Sequence, residues 1–137
     1  MTTTIYVVLV LVLSQVFADF IMQIMTQLGI KEFEWKSLIK HSINYFIGLN
    51  GITAMFFVVI PFFFNNLKIM DVHDLLYFCL FNACCHFIIK AISTRFDYKF
   101  FKNNEFGKLL TSIAITQMVC YVLLLMSFTM ICCGCKD

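Results

Sequence analysis

The residues able to do chemistry in this chain recur at a fixed spacing inside stretches that are otherwise apolar. Gln15, Asp19 and Gln23 follow one another at four-residue intervals, and so do Asn82, His86 and Lys90. A four-residue step returns to nearly the same side of an α-helix, so each trio marks one helical face. His41 with Asn44 and Tyr45, and Thr116 with Gln117 and Cys120, lie in apolar stretches of their own. A carboxylate and imidazoles are metal ligands as well as proton carriers. Asp19, His86 and His41 are therefore the candidate metal-binding set, with a divalent ion as the cofactor these residue types admit. Without an ion, Asp19 has to be protonated or paired with His86 or Lys90. No catalytic residue can be assigned. The chain has no phosphate-cradling glycine loop, serine-nucleophile motif, His-Glu-x-x-His pattern or dinucleotide fingerprint.

These groups must be carried by elements suited to hydrocarbon. Of 137 residues, 61% are hydrophobic and 13% charged, with a mean hydropathy of +0.89, against about 45–50% and about 25% in soluble domains. Lipid offers backbone groups no outside partner, so spans in such a chain are helical. A span needs about 20 mainly apolar residues, and Ile5 to Leu28, Ile39 to Ile60, Leu75 to Ser93 and Leu109 to Ile131 qualify. The expected fold is all-α: one integral membrane domain over residues 1–137, four transmembrane helices in an up-down bundle. The loops are Lys31 to Lys36, Asn65 to Asp74 and the basic segment Arg95 to Lys108. Pro61 with Phe62, Phe63 and Phe64 is expected to end the second span, and Gly48-Leu49-Asn50-Gly51 to allow close helix approach or a kink. A net charge of +2 without a basic stripe excludes a nucleic-acid partner. The partners left are the lipid bilayer and a second membrane protein or another copy of this chain.

Lys31, Lys36 and Lys40 flank the first loop and Lys90, Arg95, Lys99, Lys102 and Lys108 the third, whereas only Lys68 and Lys136 lie opposite. The excess of basic residues marks the cytoplasmic side, which predicts a multi-pass protein of the cell (inner) membrane with both termini outside. Val16-Phe17-Ala18 before Asp19 loosely resembles a signal-peptide cleavage site. No basic segment precedes it and apolar residues continue through Met25, so the first helix is expected to stay. Counted from the cytoplasmic end at 1.5 Å per residue, Asp19, His86 and Gln117 lie roughly 15, 12 and 14 Å deep. Gln23, Tyr45 and Lys90 form a shallower layer at about 6–9 Å, and Gln15, Asn82 and Cys120 a deeper one at about 18–21 Å. Lys90 is near enough to the interface for snorkelling as an alternative to pairing. Asn, Gln, Thr and Tyr inside spans serve as interhelical hydrogen-bond glue. Cys79, Cys84, Cys85 and Cys120 read as small hydrophobes packed in the core. Cys132, Cys133 and Cys135 are open to disulfide formation or acylation.

The first stripe, with Asp19-Phe20 and Gln23, resembles the opening of a family of small bacterial and phage membrane proteins known as domain of unknown function 3307. Lys31 or Lys36 followed by His41, then His86, then Gln117, fit its later elements in order. Four positions depart from the pattern: Gln15 stands where the family has His, Lys90 where it has an acid, Thr116 where it has Asp, and Cys120 where it has a final His. If the family's His and Asp residues hold a metal, this chain keeps Asp19, His86 and His41 of that set, and Lys90 replaces a ligand with an internal cation. The resemblance, with a Lys-, Asn-, Ile- and Phe-rich composition, implies a phage-encoded protein acting at the host envelope.

Three functions follow in order. The first is a binding or structural membrane protein whose polar interior holds the helices in register and accommodates a small polar group such as a lipid head group. The alternative is an intramembrane metal-dependent hydrolase of a lipid-linked substrate, with Asp19, His86 and His41 binding the ion. The third is an ion or proton path along Gln15, Asp19, Gln23 and Lys90 in an oligomer. The orientation is open to a direct check: a reporter enzyme active only outside the cytoplasm, fused after Asp137, is expected to be active, and the same reporter inserted at Asn104 inactive.

Overall fold

The computed structural model describes residues 2–26, 32–65 and 69–134. Lys31, Lys68, Cys135 and Lys136 lie outside the described residues. Helix α1 (Thr2–Gln15) runs through a π-helical turn (Val16–Ile21) into α2 (Met22–Thr26). Helix α3 (Trp35–Ala54) runs through a second π-helical turn (Met55–Val59) into α4 (Ile60–Asn65), and α5 (Val72–Lys102) and α6 (Phe106–Gly134) complete four rods. Four stretches are long and apolar enough to cross a membrane: Thr4–Met25, Trp35–Phe63, Val72–Lys102 and Phe106–Cys132. The rod begun by α1 packs on α3 and α6, and α5 packs on the same two neighbours. Residues late in one rod meet residues early in the next, as an up-down bundle requires.

The surface and the interior are exchanged relative to a water-soluble bundle. Ile24, Ile47, Phe63, Tyr77, Leu110, Met118 and Met130 face outward, while Gln15, Asp19, Gln23, His41, Asn82, His86 and Lys90 are buried. In hydrocarbon the apolar side chains gain nothing from being inside, whereas polar ones must find partners there. The interior is divided along its length. Towards the chain termini Leu11, Phe57, Phe78 and Leu124 are fully buried, and the Phe128 ring lies 5.3 Å from that of Phe57 and 6.2 Å from that of Phe78. Towards the opposite, basic end the core turns polar. There the Arg95 guanidinium lies 4.6 Å from the centre of the Phe33 ring and 5.8 Å from that of Trp35.

Two expectations about element ends are corrected. Pro61 does not end the second rod, which continues to Asn65. Proline has no N–H to give to the carbonyl four or five residues back, and both carbonyls find other donors: Tyr6 Oη donates to Phe56 O at 2.6 Å, and Ile69 N to Phe57 O at 3.2 Å. The segment Arg95 to Lys108, expected as a basic loop, is helical except for residues 103–105. A membrane sets a lower limit on helix length, not an upper one, so α5 runs beyond Ser93 with its charged residues on helix. It closes in a Schellman turn: Asn104 takes φ 58°, its N–H donates to Phe101 O at 3.1 Å, and Glu105 N–H reaches Phe100 O at 2.9 Å.

Close approach at Gly48 brings α3 against the first π-helical turn. A Cβ added there would lie 3.4 Å from Ala18 Cα and 3.5 Å from Ala18 Cβ, which is the limit of ordinary contact. Gly48→Ala is expected to be nearly neutral, and Gly48→Leu to cost about 1–3 kcal/mol by overpacking. Unfolding of the two variants in detergent micelles, followed by circular dichroism, checks the difference.

Candidate functional site

Asp19 is the centre of the polar end, and the local winding of its helix puts it there. In a regular α-helix, residues eight apart drift by about 80°, which would swing Gln15 and Gln23 away from a common line. The turn Val16–Ile21 is wound as a π-helix. One residue is thereby accommodated without extra rotation, and the drift falls to about 20° in magnitude. Gln15, Asp19 and Gln23 are accordingly all buried, at 4%, 0% and 7% exposure. The expected single polar face is present, held by a winding that the four-residue spacing alone does not reveal.

Both Asp19 oxygens are engaged, and the partners come from all four rods. Oδ2 accepts from Gln117 Nε2 at 2.5 Å and from Gln15 Nε2 at 3.3 Å. Oδ1 lies 3.1 Å from His41 Nε2 and 3.1 Å from Lys90 Nζ. His86 Nε2 approaches the same oxygen at 2.9 Å, off the line of a hydrogen bond. Lys90 is 1% exposed and also donates to Gln23 Oε1 at 2.5 Å, so its ammonium turns inward rather than snorkelling. Gln15 Nε2 donates to Gln117 Oε1, and Tyr45 Oη to Gln15 Oε1, each at 3.1 Å. A carboxylate and an ammonium thus share one buried site in which both carboxylate oxygens are partnered, the condition under which such a pair is tolerated in a low-dielectric interior.

Asp19, His86 and Gln117 meet, and Lys90 joins Gln23. The phenol of Tyr45 reaches up to the level of Gln15 because its ring spans a helical turn. Asn82 stands apart, donating at 2.8 Å both to Ser127 Oγ and to Phe78 O. Ser127 was not foreseen as its partner, since a lone serine in an apolar run carries no periodic signal. Asp97, expected in the basic loop, is 1% exposed on α5 and accepts from Ser112 Oγ at 2.5 Å. It continues the stripe of Asn82, His86 and Lys90, a signal lost by ending the span at Ser93.

His86 is fixed by stacking rather than by hydrogen bonds. Its ring lies 3.7 Å from that of Tyr45, with 2° between planes, and 5.4 Å from that of His41. Among the described residues neither ring nitrogen has a hydrogen-bond partner. Of the expected metal set, Asp19, His86 and His41 are gathered around one oxygen. Among the described residues, however, the three whose ligand atoms all lie within 4.8 Å of one another are Asp19, His86 and Cys120. Cys120, read from the sequence as packing, is buried in the cluster. No family model, curated protein or solved structure matches the chain.

The charge balance can be tested by removing each partner. Asp19→Asn or Lys90→Met alone leaves a charge buried without its counterpart and is expected to cost about 3–5 kcal/mol. The pair Asp19→Asn/Lys90→Met is expected to recover most of it, which a double-mutant cycle of unfolding free energies in mixed micelles measures.

Proposed function

We propose that the chain is a structural or interaction protein of the cell membrane, whose polar interior locks four helices in one register. The observation that carries this reading is the Asp19 carboxylate, enclosed and contacted by side chains from every rod. A lock of this kind gives direction to helices whose apolar surfaces alone have little preference, because lipid tails satisfy those surfaces as well as a neighbouring helix does. The space beside the cluster, lined by Tyr45, Asn82, Cys85, His86, Ile89, Cys120 and Leu123, has no room for a water molecule. It is therefore too small for a lipid head group and favours the structural side of the reading over head-group binding.

We infer further that both termini face outward, that the chain is a divergent member of the family known as domain of unknown function 3307, and that it acts at the envelope of a phage host. Support for the family lies in Asp19, Gln23, His41, His86 and Gln117, the residues that carry the resemblance, which fall in one cluster. Support for the orientation lies in Lys36, Lys40, Arg95, Lys99, Lys102 and Lys108, which fall at one end of the rods. The test is phage plating efficiency on cells expressing the chain. Asp19→Asn and Lys90→Met are each expected to lose the wild-type effect along with the folded protein, and the double variant to restore both. A double variant that accumulates normally in the membrane but leaves plating unaffected would show that Asp19 does chemistry rather than hold helices.

A further inference from the structure

We propose that Asp19, His86 and Cys120 form a site for one thiophilic divalent cation, with zinc as the best match. One carboxylate oxygen, one imidazole nitrogen and one sulfur lie within 4.8 Å of one another, all on buried residues. That donor set combines the three protein ligand types zinc accepts. Tetrahedral coordination at ordinary Zn–N and Zn–S lengths places ligand atoms about 3.5 Å apart, so the widest gap closes by about 1 Å.

Three further observations point to an ion rather than to accidental proximity. His86 is 1% exposed, yet its Nδ1 has no hydrogen-bond partner among the described residues, and its Nε2 lies 2.9 Å from Asp19 Oδ1 outside hydrogen-bond geometry. A buried polar atom without a partner is costly, and a metal bond is one way to satisfy it. The ring is also held flat against Tyr45 at 3.7 Å, which limits its freedom to swing to another acceptor. Finally, His86 and Cys120 line the same narrow space, on which Cys85 offers a further sulfur.

The surrounding side chains can support such an ion. Gln15 and Gln117 hold Asp19 Oδ2, and His41 holds Oδ1 at 3.1 Å, bonds of the kind that orient a ligating carboxylate. Lys90 is the unfavourable neighbour, but Gln23 Oε1 is already its second partner and lies one turn nearer the basic end. When Cys120 binds as thiolate, its proton leaves to solvent, and the divalent ion, the carboxylate, the thiolate and the Lys90 ammonium 3.1 Å from Asp19 Oδ1 then sum to one positive charge. The tight space leaves little room for a metal-bound water. A structural ion bracing α5 and α6 against the first π-helical turn is therefore expected, not a hydrolytic centre. This goes beyond the structural reading above, which stands on the Asp19–Lys90 pair with or without an ion.

The test uses full-length chain purified in detergent, stripped with a chelator and titrated with Co²⁺. The folded wild type is expected to show a near-ultraviolet thiolate-to-cobalt charge-transfer band with the visible bands of a four-coordinate ion. Both should saturate at stoichiometric Co²⁺ and be bleached by Zn²⁺. Cys120→Ser, nearly isosteric, is expected to lose the charge-transfer band. Cys79→Ser, at a buried sulfur 3.5 Å from Thr53 Oγ1 and outside the cluster, should keep it. A monodisperse wild type without the band overturns the proposal, and so does a Cys120→Ser variant whose band equals that of wild type. Neither result bears on the lock, whose test is the neutralised Asp19/Lys90 pair.

Discussion

A carboxylate enclosed among four membrane helices sets the terms for the rest of this structure. Asp19 is fully buried, and a charge in that position is expensive unless other groups approach it from several directions. Its partners sit on different helices, so each helix is confined both in depth and in rotation. Lys90 supplies the opposite charge, Gln15 and Gln117 hold one oxygen, and His41 takes the other. Sliding or turning any rod by one residue would remove its contribution and strand the others.

The backbone departs from regular winding where this arrangement needs it to. The π-helical turn at Val16–Ile21 keeps a four-residue stripe on one line, and Gly48 lets α3 approach that turn at Ala18. The second departure, before Pro61, frees carbonyls that would be costly in hydrocarbon, and Tyr6 and Ile69 satisfy them. Hydroxyls act within single helices in the same spirit: Ser14, Thr53, Thr94 and Thr116 each donate to the carbonyl four residues earlier. Polar groups here are either partnered locally or drawn into the common network. Among the described residues the exceptions are the hydroxyls of Ser42 and Ser93, one oxygen of Asp97 and the imidazole of His86, which is stacked and sits among metal-ligand chemistry.

The division of the core explains how much could be read in advance. The apolar half near the termini depends on shape, and no pattern in the sequence picks out Phe57 and Phe78 as the neighbours of Phe128 among seventeen phenylalanines. The polar half depends on scarcity: few residues in these spans can hydrogen-bond, and four-residue spacing sorts them onto faces. Asp19, Gln23, His86, Lys90 and Gln117 were therefore legible as a set, while Ser127 and Asp97 were not. Serine is common enough in spans to pass unnoticed, and Asp97 fell beyond a boundary drawn by bilayer thickness rather than by helix continuity.

The sequence by itself determined the number of helices, their all-α membrane character and the membership of most of the polar cluster. Hydropathy and periodicity are local properties, and lipid leaves only helices to satisfy the backbone of apolar runs this long. Tertiary structure alone decided who meets whom: that Lys90 turns inward, that Tyr45 stacks on His86, and that the Cys120 sulfur comes within 4.8 Å of Asp19 and His86. Those outcomes depend on the relative rotation and depth of four rods to within about 1 Å, the scale on which hydrogen bonds and metal bonds are made or lost. Spacing along one helix carries no information about the rotation of its neighbour.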